Sequence, residues 1–273
     1  MNLLTAIFSV LTGLAFGSFL NVCIARLPEH ESVVRPRSRC PHCGHPIRDR
    51  DNIPVLSWLL LRGKCRDCGA GISIRYPVIE LATAALFLLC DLSFGLTLRG
   101  IGSGILCFLL LGLAAMDAES YLLPDAFTLP GIGLGILFTA WKACCGPAAH
   151  LRGAGRSLLA AAAAALLILA VRGAYWLVRR REGMGLGDAK LLAMIAAWMG
   201  PWMTILVLFF GAVSAAIYGI FVLIFGSFRA EKADSEHPGP PLRLPFGSFL
   251  CAAGIFALFE GRGFLNWYMN FLR

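Results

Sequence analysis

Two aspartates lie where apolar segments of this chain meet polar ones. Asp117 comes near the end of one apolar segment, in LGLAAMDAESYLLPD, and Asp188 begins another behind alternating glycines, in GMGLGDAK. Two carboxyls a few ångströms apart cannot easily both ionise, so they share one proton. The charged member can act as a general base on water while the protonated member polarises an amide carbonyl. We expect the glycines to leave room for a substrate backbone. Such a pair would hydrolyse an amide bond.

Four cysteines form two Cys-x-x-Cys pairs, and a glycine follows each pair. This spacing is typical of two tight knuckles that hold zinc through four thiolates. Four thiolates fill the coordination sphere, so we expect the zinc to stabilise the segment rather than to activate water, with His42 and His45 as unneeded substitutes. The predicted zinc ligands are Cys40, Cys43, Cys65 and Cys68.

The composition places these residues in a membrane protein. The 273 residues are 58% hydrophobic and 15% charged, and the mean hydropathy is +0.74, whereas soluble domains carry about 25% charged residues. We predict an all-α polytopic membrane protein with about eight transmembrane helices, because apolar runs of roughly 20 residues can each cross a bilayer. The predicted spans are Leu3 to Val22, 77–94, 100–116, 125–144, 157–178, 188–200, 202–227 and 245–260.

The first span reads as a retained helix rather than a cleaved signal peptide, because it lacks a basic start and a small-residue cleavage site. The chain is then divided into a first membrane helix at 1–24, a small zinc-ribbon-like domain at 25–76 and a membrane-embedded domain at 77–273. The zinc domain lies between the first two membrane helices.

The distribution of charge orients these spans. The net charge is +8, and ten of the 24 Lys and Arg residues lie in 25–76. Basic residues collect on the cytoplasmic side of a membrane, so we place this loop in the cytoplasm and the N-terminus outside. Alternation of the spans then puts sixteen of the basic residues on the cytoplasmic side and six on the other. The cytoplasm also keeps thiols reduced, which favours zinc over disulfides.

Two predicted spans separate Asp117 from Asp188. A chain that crosses twice returns to the side it left, so we expect both aspartates at the cytoplasmic face. Local alternatives stay open, since Asp188 or Asp125 could simply cap a helix and Glu80 could be a paired structural acid.

Zinc knuckles often bind nucleic acids, but the segment between these two pairs does not favour that function. NIPVLSWLLLRG is apolar and suits packing against the membrane domain better than contact with a phosphate backbone. We therefore expect the lipid bilayer, and no nucleic acid, as a partner.

Six segments in order resemble the bacterial type IV prepilin peptidases, also called prepilin leader peptidase/N-methyltransferases, which include the type II secretion pseudopilin peptidases. PFGSFL, at 245–250, is a further match, and we expect Ser248 within it to lie far from the two aspartates. The six segments are FGSFLNVCIARLP, PRSRCPHCGHPI, DNIPVLSWLLLRGKCRDCG, ISIRYPVIEL, DAESYLLPD and GMGLGDAKLLAMIAAWMG.

The resemblance implies a multi-pass aspartic endopeptidase of the bacterial inner membrane, with its N-terminus in the periplasm and with Asp117 and Asp188 as the essential pair. It implies prepilin or pseudopilin substrates, cut at the cytoplasmic face after a glycine. Family members with the cysteine loop are also thought to methylate the new N-terminal amine with S-adenosylmethionine, and all four cysteines are present here. The sequence indicates neither the residues that would bind S-adenosylmethionine nor the oligomeric state.

Three other functions compete with this one. Intramembrane proteases of the presenilin kind also use Gly-x-Gly-Asp, but their partner motif is Tyr-Asp, whereas Met116 precedes Asp117 here. A transporter could use buried carboxylates to carry protons or a metal ion. A membrane scaffold held by a zinc knuckle would need no chemistry at all.

Overall fold

The structure is a computed structural model that describes residues 2–145, 152–180, 185–230 and 244–271. These ranges are helical apart from turns, loops and two isolated β-bridges, Arg39 with Pro46 and Lys64 with Gly71. In chain order the helices are α1 Leu3–Arg26, α2 Leu56–Leu60, α3 Arg75–Phe94, α4 Leu98–Ser120, α5 Asp125–Cys145, α6 Arg152–Arg179, α7 Leu186–Met199, α8 Pro201–Ala230 and α9 Phe246–Phe271.

Six of the described helices are long and apolar enough to cross a membrane, namely α1, α3, α4, α6, α8 and α9. The all-helical, multi-span architecture expected from the sequence is therefore confirmed at this level. The other two predicted spans, 125–144 and 188–200, coincide with α5 and α7. The 14 residues of α7 make a helix of about 21 Å, shorter than a hydrocarbon core of about 30 Å. The count of eight is not confirmed and stays a prediction.

The chain divides into two compact units, Met1–Gly112 and Leu113–Arg273. In the first unit α1 packs along α3 at very short range, because small residues let the two backbones approach each other. A Cβ built on Gly13 would lie 2.5 Å from the Cα of Ala84, and one on Gly17 would lie 2.6 Å from the Cα of Glu80. Any larger side chain at either glycine would separate the two helices.

In the second unit α7 is the inner helix, in contact with α5, α6, α8 and α9. Its residues 191–197 are all buried, which fits a helix that is apolar on every side. The carbonyl of Ala197 near its C-terminus accepts hydrogen bonds from Thr139 Oγ1 of α5 at 3.0 Å and from Ser157 Oγ of α6 at 2.7 Å. Side chains from two neighbours thus satisfy a carbonyl in the last turn, where helices leave such groups unpaired. This anchoring fixes the helix that carries Asp188 in its first turn.

Candidate active site

Asp117 lies in the last turn of α4 and is 5% exposed. Its Oδ2 accepts a hydrogen bond from the backbone N–H of Ser248 at 2.6 Å and contacts the Ser248 hydroxyl at 3.0 Å. The backbone N–H of Gly247 also donates to this carboxyl. Both amides belong to the first turn of α9, whose N–H groups have no partner within the helix; the N–H of Ser248 also donates to the carbonyl of Pro245, just before the helix, at 3.1 Å. Asp117 therefore caps the N-terminus of α9 from a distant part of the sequence.

Asp188 is the third residue of α7 and is 8% exposed. The backbone N–H of Gly185, which precedes the helix, donates to its carboxyl. A side chain at this helical position that reaches back to the preceding amide is half of a capping box. The positive end of the helix dipole also favours a carboxylate here. The capping alternative considered for Asp188 is thus met in the structure, and it orients the carboxyl rather than excluding a chemical role.

The structure brings the two sequence-predicted aspartates together within the second unit. Asp117 is near enough to act on Asp188 through a direct Coulomb interaction. Both also act electrostatically on Cys251, a fully buried thiol one helical turn beyond Gly247. The ends of three helices, α4, α7 and α9, therefore meet at a buried pair of carboxyls. Such a pair holds one proton more easily than none and can serve as acid and base together.

Leu123 explains two of the glycines near the pair. A Cβ on Gly187 would lie 3.0 Å from the Cβ of Leu123, and a Cβ on Gly247 would lie 3.0 Å from its Cδ1. The expectation that the glycines leave room for a substrate is therefore wrong for Gly187, where the space is filled by Leu123. Gly185 has more room, since its nearest contact would be Asp188 Oδ2 at 3.6 Å. Gly183 lies outside the described residues.

Replacing Gly247 with alanine is expected to disturb the pair directly. The added methyl group would lie 3.0 Å from Asp117 Oδ2 as well as from Leu123, so Asp117 or the start of α9 must move. We expect the cleavage rate to fall at least about tenfold and stability to drop by about 1–3 kcal/mol, as in other overpacked sites. Rates on a peptide substrate and thermal unfolding in detergent would measure the two effects.

Gly133 provides the matched control for that substitution. It lies in α5 of the same unit and has open space around the position of a Cβ. Gly133→Ala should keep full activity and gain up to about 1 kcal/mol, since alanine is the better helix former. Equal behaviour of the two variants would contradict the close packing assigned to Gly247.

Ser248 is the site residue that sequence reasoning placed wrongly. We expected it far from the two aspartates, but its backbone amide and its hydroxyl both contact Asp117. The contact joins residues 131 positions apart in the chain. A usable signal was present, because Pro245 followed by Gly247 and Ser248 before an apolar run marks a helix start whose free amides require an acceptor.

Lys190 and Asp125 form an ion pair beside the site, with Nζ and Oδ1 2.5 Å apart. The side chains are 36% and 58% exposed, so the pair contributes little to stability. It connects the start of α5 to α7 one half-turn beyond Asp188. Asp125 thus serves as the partner of a lysine, and the structure places it in a pair separate from Asp117 and Asp188.

Glu80 is a structural acid of the first unit. It is 7% exposed, and its Oε2 accepts the backbone N–H of Val55 at 2.7 Å. Ser18 of α1 also hydrogen-bonds to this carboxyl. Val55 has a φ of 58°, an unfavourable value for a β-branched residue. The Glu80 carboxyl therefore helps to hold a strained turn, as the paired-acid alternative anticipated.

The four predicted zinc ligands form one cluster. Their sulfur atoms all lie within 4.8 Å of one another, and the Sγ atoms of Cys40 and Cys68 are 3.9 Å apart. Tetrahedral zinc with Zn–S bonds of about 2.3 Å requires sulfur atoms about 3.8 Å apart. The cluster therefore fits a four-thiolate zinc site, with small adjustments of side-chain rotamers.

The two knuckles have the same backbone geometry. The N–H of Cys40 donates to the carbonyl of His45 at 3.0 Å, and the N–H of Cys65 donates to that of Ala70 at 2.8 Å. Gly44 and Gly69, with φ of 72° and 70°, supply the left-handed residue that each turn requires. This repeated turn confirms the knuckle geometry expected from the two Cys-x-x-Cys-Gly sequences.

Backbone amides in the first knuckle prepare a sulfur for metal binding. The N–H groups of Cys43 and His42 point at the Cys40 sulfur and lower its pKa to about 6, which favours the thiolate that zinc requires.

Elsewhere in the loop, Arg66 donates to both oxygens of Asp51 and lowers the pKa of that carboxyl. The segment that carries the four cysteines is thus ordered by ion pairs as well as by its two knuckles.

Two family models match successive parts of the chain. A family model of the bacterial peptidase A24 N-terminal domain matches residues 11–94, and one of the type IV leader peptidase family matches residues 104–220. No solved structure matches the chain.

Several curated relatives carry the name prepilin leader peptidase/N-methyltransferase. That of Myxococcus xanthus is 40% identical over 249 residues, which cover 88% of this chain and 71% of the relative. That of Stutzerimonas stutzeri is 37% identical over 288 residues, or 97% of this chain and 94% of the relative. That of Aeromonas hydrophila is 36% identical over 287 residues, or 96% and 93%.

Proposed function

The chain belongs to the type IV leader peptidase family, and from that premise we propose that Asp117 and Asp188 form the catalytic pair of a membrane aspartic endopeptidase. Its substrates are prepilins or pseudopilins, which lose their leader peptide after a glycine. The single observation that carries the proposal is the meeting of these two buried carboxyls at the ends of α4 and α7. A presenilin-like protease would also use two aspartates. The prepilin peptidase is favoured because the family matches extend over both units.

The pair performs hydrolysis by moving protons between water and substrate. The ionised carboxyl takes a proton from water as the water oxygen attacks the scissile carbonyl carbon, and the protonated carboxyl gives its proton to the carbonyl oxygen. The tetrahedral intermediate then collapses with loss of the C–N bond, and the leaving amine receives the proton taken from water. The gem-diol proton returns to the pair, which again holds one shared proton. Every step keeps the total charge of the pair and substrate constant, which suits a site of low dielectric.

The setting of the pair is a multi-pass protein of the bacterial inner membrane, as its apolar helices and its family indicate. We place the pair at the cytoplasmic face and the N-terminus in the periplasm, because the basic residues concentrate in 25–76. The domain at 77–273 would then hold the peptidase, with 1–24 as the first membrane helix. The hydrophobic helix of a prepilin can remain in the bilayer while its polar leader reaches the pair from the cytoplasm.

Zinc in this protein would be structural. The four thiolates of the cluster supply a complete coordination sphere, so the metal would cross-link the two knuckles and leave no position for water. The domain at 25–76 has few buried residues of its own, and metal binding would provide the folding free energy that a core otherwise supplies.

A second activity, methylation of the new N-terminal amine, follows from the names of the relatives. S-adenosylmethionine would supply the methyl group. Among the described residues we assign no set to this cofactor, so no step of methyl transfer is attributed to a particular side chain. The presence of all four loop cysteines supports the assignment at the level of the whole chain.

Intact-mass spectrometry of a prepilin from the same host tests the proposal. The purified enzyme in detergent would be incubated with the prepilin and S-adenosylmethionine, beside a prepilin whose glycine before the mature helix is replaced. We expect loss of a leader that ends in glycine, only from the unaltered prepilin, followed by a gain of one methyl group. An intact prepilin would contradict the peptidase function and favour the transporter, and cleavage without added methyl would contradict only the second activity.

A further inference from the structure

Ser248 makes two different kinds of contact with α4. Its hydroxyl oxygen lies 2.8 Å from the carbonyl oxygen of Ala114 and 3.0 Å from Oδ2 of Asp117. Its backbone N–H donates to the same Oδ2 at 2.6 Å. The two partners of the hydroxyl are three residues apart, so they face the same side of α4. The hydroxyl is therefore positioned between a fixed acceptor and a group that changes its protonation state.

A serine hydroxyl has one proton to donate and can also accept. When Asp117 is ionised, the hydroxyl proton can point to Oδ2. When Asp117 is protonated, its carboxyl can donate to the hydroxyl oxygen, and the hydroxyl proton can turn to the Ala114 carbonyl. One rotation about the Cβ–Oγ bond thus keeps both groups paired in either state. This matters in a buried site, since an unpaired polar group there costs about 1–3 kcal/mol.

On the basis of the proposed peptidase function, we propose that Ser248 is a positioning residue whose hydroxyl turns between Asp117 and the Ala114 carbonyl as the catalytic pair changes protonation. Both contacts between Ser248 and Asp117 end on Oδ2. Together with the backbone N–H of Gly247, which also donates to this carboxyl, they hold the carboxyl in one orientation. Ser248 thereby acts through Asp117 and does not itself contact substrate.

The two carboxyls differ in their hydrogen-bond partners. Among the described residues, Asp117 acts electrostatically on Asp188, and both carboxyls act on Cys251 of α9, a fully buried thiol. Lys190, two residues beyond Asp188, is paired with Asp125. Asp188 receives a backbone amide from Gly185, a donor that cannot reverse its role. A reversible hydroxyl partner is thus a feature of the Asp117 side.

Steady-state cleavage by Ser248→Ala and Ser248→Thr tests the proposal. Alanine keeps the backbone amide but removes the hydroxyl, so we expect kcat to fall about fivefold to tenfold, the effect of one lost hydrogen bond, with KM unchanged. Threonine keeps a hydroxyl and should restore most of kcat. Ser214→Ala is the matched control, because the Ser214 hydroxyl bonds only to carbonyls of its own helix α8 in the contacts that the structure gives. Its kcat should equal that of the unaltered enzyme.

Two results would overturn this role. If Ser248→Ala keeps the full kcat, the hydroxyl does not serve the pair. If Ser248→Thr is as slow as Ser248→Ala and both melt at lower temperature, the serine is structural only. Failure of the proposed function looks different, since the unaltered enzyme would then be inactive, or would stay active after Asp117→Asn. Either outcome also rejects the positioning role, because no catalytic pair would remain for it to serve.

Discussion

Asp117→Asn and Asp188→Asn are each expected to lower the rate of leader cleavage by about ten-thousandfold. Asparagine has nearly the same shape as aspartate but can neither ionise nor carry the shared proton, so each substitution removes the acid–base cycle at an almost unchanged geometry. Losses of this order are typical when one carboxylate of an acid–base system is removed. Single-turnover cleavage of a prepilin, followed by intact-mass spectrometry, would measure the rates.

Asp125→Asn is the matched control for both variants. Asp125 is an aspartate of the same unit, near Asp188 in space through its ion pair with Lys190. Because its side chain is 58% exposed and makes no catalytic contact in our proposal, we expect its removal to change the rate by less than about threefold. A large loss in Asp125→Asn, or cleavage that survives in Asp117→Asn or Asp188→Asn, would reject the assignment of the pair.

The same two variants should remain folded. The side-chain oxygen of asparagine at 117 can still accept the amide of Ser248, and replacing either carboxyl by a neutral amide ends the unfavourable contact of two buried acids that must share one proton. Catalytic sites often keep such unfavourable contacts at the expense of stability. Thermal unfolding in detergent should therefore give a melting temperature equal to or above that of the unaltered protein, which separates loss of chemistry from loss of structure.

The sequence led us to expect Asp117 and Asp188 near each other, because two predicted spans lie between them. Of the two helices found there, α5 and α6, α6 alone is among the described helices long and apolar enough to cross a membrane. The knuckles were equally predictable, since Cys-x-x-Cys-Gly encodes its own local turn. The position of Ser248 could not be predicted in this way, because its contact with Asp117 depends on where α9 begins in three dimensions rather than on local sequence. Gly187 was misjudged for the same reason, since only the fold shows that Leu123 occupies the space beside it.

The length of α7 shows a different limit. An apolar segment of 188–200 can be read as a short membrane span or as a buried inner helix, because both are apolar on all sides. The hydroxyls of Thr139 and Ser157 that donate to the carbonyl of Ala197 near its C-terminus belong to other helices. The sequence of α7 itself does not predict these contacts. Counting apolar segments therefore identifies helices reliably but does not establish how many of them cross the bilayer.

Loss of the proposed zinc site is expected to have the second large effect, which falls on the fold of the loop rather than on the chemistry of the aspartates. Cys40→Ser and Cys68→Ser each remove one of four thiolates that lie within 4.8 Å of one another. Structural zinc sites of this kind contribute about 10 kcal/mol or more of binding free energy, which the small loop cannot replace from its own packing. We expect about one zinc ion per unaltered chain and less than a tenth of that in the variants. Elemental analysis would measure this loss.

The structural role proposed for zinc predicts a second measurable effect, which metal content alone does not reveal. Segment 25–76 should become sensitive to limited proteolysis in Cys40→Ser, and methylation of the cleaved product should fall with it. Cys23→Ala is the matched control, because Cys23 is a buried thiol of α1 outside the cluster, and its zinc content should be unchanged. An unaltered chain without zinc would reject the site. Zinc loss with an intact, protease-resistant loop would show instead that ion pairs such as that of Arg66 with Asp51 are sufficient to keep the loop folded.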